Sequence, residues 1–147
     1  MAELIIHAYS NKPCTIAQMP ILRPLPDSED WASYYEWWFH SKTGYICKVP
    51  AGFVCDLDSV PRIPVVYALF KNRSVAGPLA HDWEFTLAGL LPQKDADKLM
   101  MEIALWEGTE RKHIRPMYRA VRTFGHRHYR KRQPRYTSAI DTQTVNL

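Results

Sequence analysis

This 147-residue chain lacks any long apolar run, any CxxC pair and any HExxH pair. Without the first, no segment reads as a membrane-spanning helix. Its three cysteines, Cys14, Cys47 and Cys55, are odd in number and widely spaced, so neither a disulfide framework nor a zinc site is expected. Reduced, cytoplasmic synthesis follows as the default. The start, Met1-Ala2-Glu3, carries no basic signal-peptide region. Acidic residues are also missing from one stretch. Residues 111–135 hold ten of the nineteen Lys and Arg and no Asp or Glu, which leaves nine positive against fifteen negative charges elsewhere. The overall +4 therefore hides an acidic body and a basic C-terminal segment. That asymmetry points to an acidic partner, whether nucleic acid, phospholipid headgroups or protein.

What is present is apolar and aromatic. Hydrophobic residues make up 46% of the chain, enough for one domain with a real core. Five Trp and eight Tyr suit a surface that meets a partner, because amphipathic rings are favoured there.

Glu3 to Tyr9 reads as a short strand, and the proline-rich stretch 10–30 as an extended arm. Tyr34 to His40 reads as one aromatic strand covered on both faces. Ser41-Lys42-Thr43-Gly44 is a turn, Tyr45 to Val49 a returning strand, and Gly52 to Cys55 a further strand. Asp56 to Arg62 is a tight polar loop stopped by Pro61. The pattern then turns helical. Val65 to Phe70 is a short apolar segment. Val75 to Ala88 forms a helix, whose start Gly77-Pro78 can delay until Pro78, a favoured first-turn position. Gln93 to Glu107 forms a second, ended by Gly108, and Lys112 to about Phe124 a third. In the third, Ile114, Met117, Tyr118, Val121 and Phe124 lie on one face, with Arg115, Arg119 and Arg122 on the other. The expected fold is α+β: a β-rich N-terminal half, built on a hairpin-based small sheet, packed on a C-terminal three-helix region. Residues 1–125 are read as one compact domain, and 126–147 as a basic then polar C-terminal arm.

His81-Asp82, followed fifteen residues after Asp82 by Asp97, is the feature richest in chemistry. Gly89-Leu90-Leu91-Pro92 breaks the chain between them, so two helices folding back would bring Asp97 to the His81 imidazole. A carboxylate there fixes the tautomer and stabilises the charged ring, as a general base requires. Asp82 points roughly 100° around the helix, where it can hold a metal or an arginine. The plainer reading is a packed histidine and a helix-start carboxylate that favours the dipole. The loop Asp56, Asp58, Ser59 and Arg62 offers a second polar cluster. Arg62 can bind a carboxylate or phosphate bidentately, or pair with Asp82 or Asp97 while Asp56 and Ser59 close the turn. Asp56, Arg62, His81, Asp82 and Asp97 are expected to gather in one place.

The run Pro50-Ala51-Gly52-Phe53-Val54-Cys55-Asp56-Leu57-Asp58-Ser59-Val60-Pro61-Arg62, then Ala80-His81-Asp82-Trp83, Ala96-Asp97 and Tyr118 to Gly125, resembles a family of small tailed-phage and prophage proteins of unknown function. The chain departs from that pattern at Cys55 (usually Thr), Asp58 (usually Ala) and Phe85 (usually Tyr). The resemblance implies phage origin and no particular activity. The His-Asp-x-x-aromatic element followed by Ala-Asp on the next helix is also similar to phospholipase A2 enzymes. That likeness implies His81 as base, Asp97 as its orienting group and Asp82 as a calcium ligand, but no Gly-rich calcium loop accompanies them.

The expected role is a virion or tail-associated structural component that binds neighbouring phage proteins in an oligomeric assembly. It would be present in the host cytoplasm during assembly and then in the particle. No cofactor is expected, with calcium only under the phospholipase-like reading. A hydrolase acting on phospholipid or peptidoglycan through His81 and Asp97 is the alternative, and a nucleic-acid-binding accessory protein a further one. Partner contacts are assigned to Arg115, Arg119, Arg122, Arg127, Arg130, Lys131 and Arg132.

Overall fold

The computed structural model describes residues 19–26, 28–55, 74–127 and 129–137. The expected strand at Glu3–Tyr9, the Asp56–Arg62 loop and the apolar segment Val65–Phe70 lie outside them. The described chain is α+β, with small antiparallel sheets followed by three helices.

One sheet holds four strands in the order β1 (Leu22–Pro24), β2 (Trp31–Ser33), β5 (Phe53–Cys55) and β6 (Arg135–Tyr136), all neighbours antiparallel. The second is the hairpin of β3 (Trp37–His40) and β4 (Ile46–Val49). Two expectations change here. The proline-rich stretch contributes β1, because Pro24 sits on an edge strand, where a missing N–H costs least. The expected strand Tyr34–His40 is also shorter, Trp37–His40, and an unexpected strand, Trp31–Ser33, precedes it in the other sheet. The chain turns between them, where the Ser33 hydroxyl donates to the Tyr35 carbonyl at 2.6 Å. In β3 the alternation is clear. Trp37 and Phe39 are buried, whereas Trp38 and His40 are half-buried, with the Lys48 ammonium over the Trp38 ring.

The helices are α1 (Ala76–Phe85), α2 (Gln93–Trp106) and α3 (Arg111–Phe124). Helix α1 begins at Ala76, one residue after the expected start at Val75, and Pro78 does not delay it, because it falls in the first turn, where its missing N–H has no partner to lose. Its N-cap residue, Val75, offers no side-chain cap, and the Ser74 hydroxyl accepts from the Gly77 amide at 3.2 Å. Glu107, at the end of α2, accepts hydrogen bonds from the Val75, Ala76 and Gly77 amides and from the Ser74 hydroxyl. A carboxylate there satisfies exposed donors and complements the helix dipole. Eight of the ten α1 residues are buried, as expected of a helix with no polar face. Gly77 lies against α2, where a Cβ would come 3.1 Å from the Met100 carbonyl. This close approach sets the distance between the helices that carry His81 and Asp97.

One core forms between the hairpin, β5, α1 and α2, around Trp37, Phe39, Leu79 and Ile103. A second forms between α2 and α3, around Met100, Met117 and Val121. Residues 129–137, read as part of a basic arm, run back over this body. The Arg130 and Leu87 amides donate to the Phe85 and Arg132 carbonyls, and β6 adds to β5.

Candidate functional site

His81 and Asp97 meet as their spacing suggested. His81 Nε2 lies 2.6 Å from Asp97 Oδ1, and both side chains have 0% exposure. The second Asp97 oxygen accepts from Arg122 Nη1 at 2.8 Å. The Phe85 ring lies against the imidazole with centroids 3.9 Å apart. The Tyr129 ring meets Phe85 edge-on. The remaining imidazole nitrogen, Nδ1, is buried and makes no hydrogen bond. The arginine on Asp97 thus comes from the basic face of α3, where Arg122 had been assigned to an outside partner. Arg130 is exposed, yet its guanidinium is engaged within the fold, donating to the Gly89 and Leu91 carbonyls.

The other expected residues are placed as follows. Asp82 is half-buried on α1 and engaged in an interaction of its own. Asp56, Asp58, Ser59 and Arg62 lie outside the described residues, so of the five residues expected to gather, His81 and Asp97 are the pair shown to meet. Arg115, Arg119, Arg127, Lys131 and Arg132 are exposed. Among the described residues, no group of three or more His, Cys, Asp or Glu side chains converges on a metal position. A calcium role for Asp82 with Asp56 or Asp58 would rest partly on residues outside that set.

A second buried carboxylate went unnoticed in the sequence. Glu84 is fully buried. It accepts from the Tyr45 hydroxyl and from the Leu90 and Leu91 amides at 3.0 and 3.2 Å. It thereby ties the hairpin to the α1–α2 turn. Gly89 is required in that turn, since a Cβ would come 2.0 Å from the Glu84 carbonyl oxygen. Glu102 does similar work on the hairpin turn, accepting from the Ser41 hydroxyl at 2.6 Å and the Lys42 amide at 2.8 Å. The only sequence signal for Glu84 was its place in a helix without a polar face, where a carboxylate must find donors.

Burial, then the Glu84 hydrogen bond, then the Glu84 charge push the Tyr45 phenol far above its ordinary range. Burial first, and Glu84 second, push the Cys47 thiol well up. Cys47 is therefore a protonated core thiol, not a nucleophile. The fold favours the protonated form of both groups, so their stabilisation is complete below their unfolded pKa values. It is lost progressively as pH rises above their ordinary values, 9.0 for the thiol and 10.0 for the phenol, toward the raised folded values. Melting temperature should fall across that alkaline window, and the fall should be shallower in a Tyr45→Phe/Cys47→Ala protein. A double variant with the same alkaline slope as the parent would show that these groups do not set it.

Residues 31–121 match the family described as protein of unknown function (DUF1353), and the chain belongs to that family. Neither the curated proteins nor the solved structures contain a match.

Proposed function

We propose that this chain is a small structural component of a tailed-phage particle that works through protein contacts rather than catalysis. The observation that carries this reading is the closed state of the polar centre. His81 and Asp97 have no exposed side-chain surface, and both Asp97 oxygens are engaged within the fold. A general base has to reach a substrate, whereas the polar contacts of this pair among the described residues are to each other and to Arg122. Charge available to a partner lies outside, on Arg115, Arg119, Arg127, Lys131 and Arg132. The phage assignment is supported by the resemblance of the Pro50–Arg62 and His81-Asp82 elements to phage and prophage proteins. On this reading the chain is made in the host cytoplasm and ends in the virion.

Mass spectrometry of purified particles tests the role, with the chain expected at fixed stoichiometry. Reversing Arg127, Lys131 and Arg132 to Glu should lower incorporation and leave the melting temperature nearly unchanged, since exposed substitutions usually stay within about 0.5 kcal/mol each. Arg130 is left out of that set because its guanidinium holds the Gly89 and Leu91 carbonyls. Particles without the chain, or full incorporation of the triple variant, would count against this assignment.

One observation favours the hydrolase as a second reading. His81 Nδ1 has no partner, and it lies opposite the nitrogen that Asp97 fixes, the position from which a histidine base acts. Turnover of phospholipid or peptidoglycan by the parent chain, lost in a folded His81→Ala protein, would establish it.

A further inference from the structure

Between α2 and α3 the surface opens into a groove of about 450 Å³. Met101, Ile114 and Tyr118 form its apolar floor, and Lys98, Arg115 and Arg119 its rim. Met101 belongs to the second core, and Ile114 and Tyr118 pack half-buried against that core, so the floor is held rigidly from beneath. The three rim residues are exposed, and none of them forms an ion pair among the described residues. No lining residue is acidic, and α3 itself contains no Asp or Glu. Arg111, Arg115 and Arg119 recur every fourth residue, which places them one above another along one side of α3, about 6 Å per step.

An apolar floor between cations calls for an occupant with apolar side chains between carboxylates. The one-turn spacing of the arginines matches carboxylates one turn apart on a helix. We infer that this groove docks an acidic amphipathic helical segment of a partner protein. One or two of its apolar side chains would seat on Met101, Ile114 and Tyr118, and its carboxylates would meet Lys98, Arg115 and Arg119. This deepens, and rests on, the protein-contact reading above. A nucleic-acid backbone would satisfy the cations but would gain nothing from a methionine and isoleucine floor, and one tyrosine is a poor stacking platform.

The test uses the full chain and fluorescence anisotropy. The probe is a labelled helical peptide with Leu at i and i+4 on one face, flanked by Glu. It is compared with a copy carrying Lys for Glu, a copy carrying Ser for Leu, a short DNA duplex and phosphatidylglycerol vesicles. The acidic peptide should bind, and both altered copies should bind at least about tenfold more weakly. Arg115→Glu/Arg119→Glu should lose the acidic peptide and gain the Lys copy, which shows that the variant is folded and that the rim sets charge preference. Ile114→Ser should weaken binding without reversing that preference. Chemical-shift changes should map to the α2–α3 groove. Equal binding of the Ser copy, tighter binding of DNA or vesicles, or no binding by any peptide would overturn the inference. Incorporation into particles separates the two levels. A groove variant that incorporates normally defeats the docking site and leaves the structural role standing, whereas absence of the parent chain from particles defeats that role itself.

Discussion

Asp97→Ala should destabilise the domain by about 3–5 kcal/mol, the usual cost of removing one member of a buried charged pair. Asp97 is fully buried and holds two cationic or potentially cationic partners at once, His81 at 2.6 Å and Arg122 at 2.8 Å. Removing it leaves the His81 imidazole without a partner on either nitrogen, because Nδ1 already has none. Arg122 suffers less, since its side chain is 36% exposed and can turn to water. The loss should therefore fall in the lower part of that range. The paired substitution His81→Leu/Asp97→Leu should recover much of it, since an apolar pair of similar volume leaves no polar group stranded. Urea denaturation of His81→Leu, Asp97→Leu and the double gives the coupling directly. A near-neutral Asp97→Ala protein, or a double variant whose loss equals the sum of the single losses, would show that this bridge is not what holds α1, α2 and α3 together.

The same centre shows how far the sequence could be read. His81 and Asp97 were legible because the Gly89–Pro92 break forces α1 and α2 to fold back, and helix positions follow once their ends are set. Arg122 was not. Helical arithmetic places a Cβ, and it put Arg122 beside Arg115 and Arg119. A long arginine stem can then carry its guanidinium around the helix to a buried carboxylate. The strands show the same limit. The turn at Ser41–Gly44 and the β3–β4 hairpin follow from alternation and turn chemistry. The separate strand β2 depends on pairing with β5, which is remote in sequence, and with β1, which lies in a proline-rich stretch that reads as an arm. Glu84, Glu102 and Glu107 read as ordinary helix carboxylates, yet each is fixed by donors 6 to 61 residues away. Long-range hydrogen bonding of this kind has no periodicity to reveal it.

Glu84→Ala is the second substitution from which a large effect is expected. It would strand the Tyr45 hydroxyl and the Leu90 and Leu91 amides together, and each buried unsatisfied group costs about 1–3 kcal/mol. Leu90 is 78% exposed, so its amide can recruit water, and the combined loss should be nearer to two such groups than three. The α1–α2 turn would also lose the carboxylate that ties it to the hairpin, so amides of Leu90 and Leu91 should exchange faster than those in the body of α2. Glu84→Gln separates charge from hydrogen bonding. Its amide oxygen can still accept from the two backbone amides, and its amide group can donate to the Tyr45 oxygen, so most of the stability should remain. The negative charge, however, is gone. Tyr45 and Cys47 then keep only the rise due to burial, and the gap between their folded and unfolded pKa values narrows. The alkaline fall in melting temperature should accordingly be shallower in Glu84→Gln than in the parent, in the same direction as Tyr45→Phe/Cys47→Ala. An unchanged alkaline profile in a folded Glu84→Gln protein would mean that burial alone sets those protons, and that Glu84 acts only as a hydrogen-bond anchor for the turn.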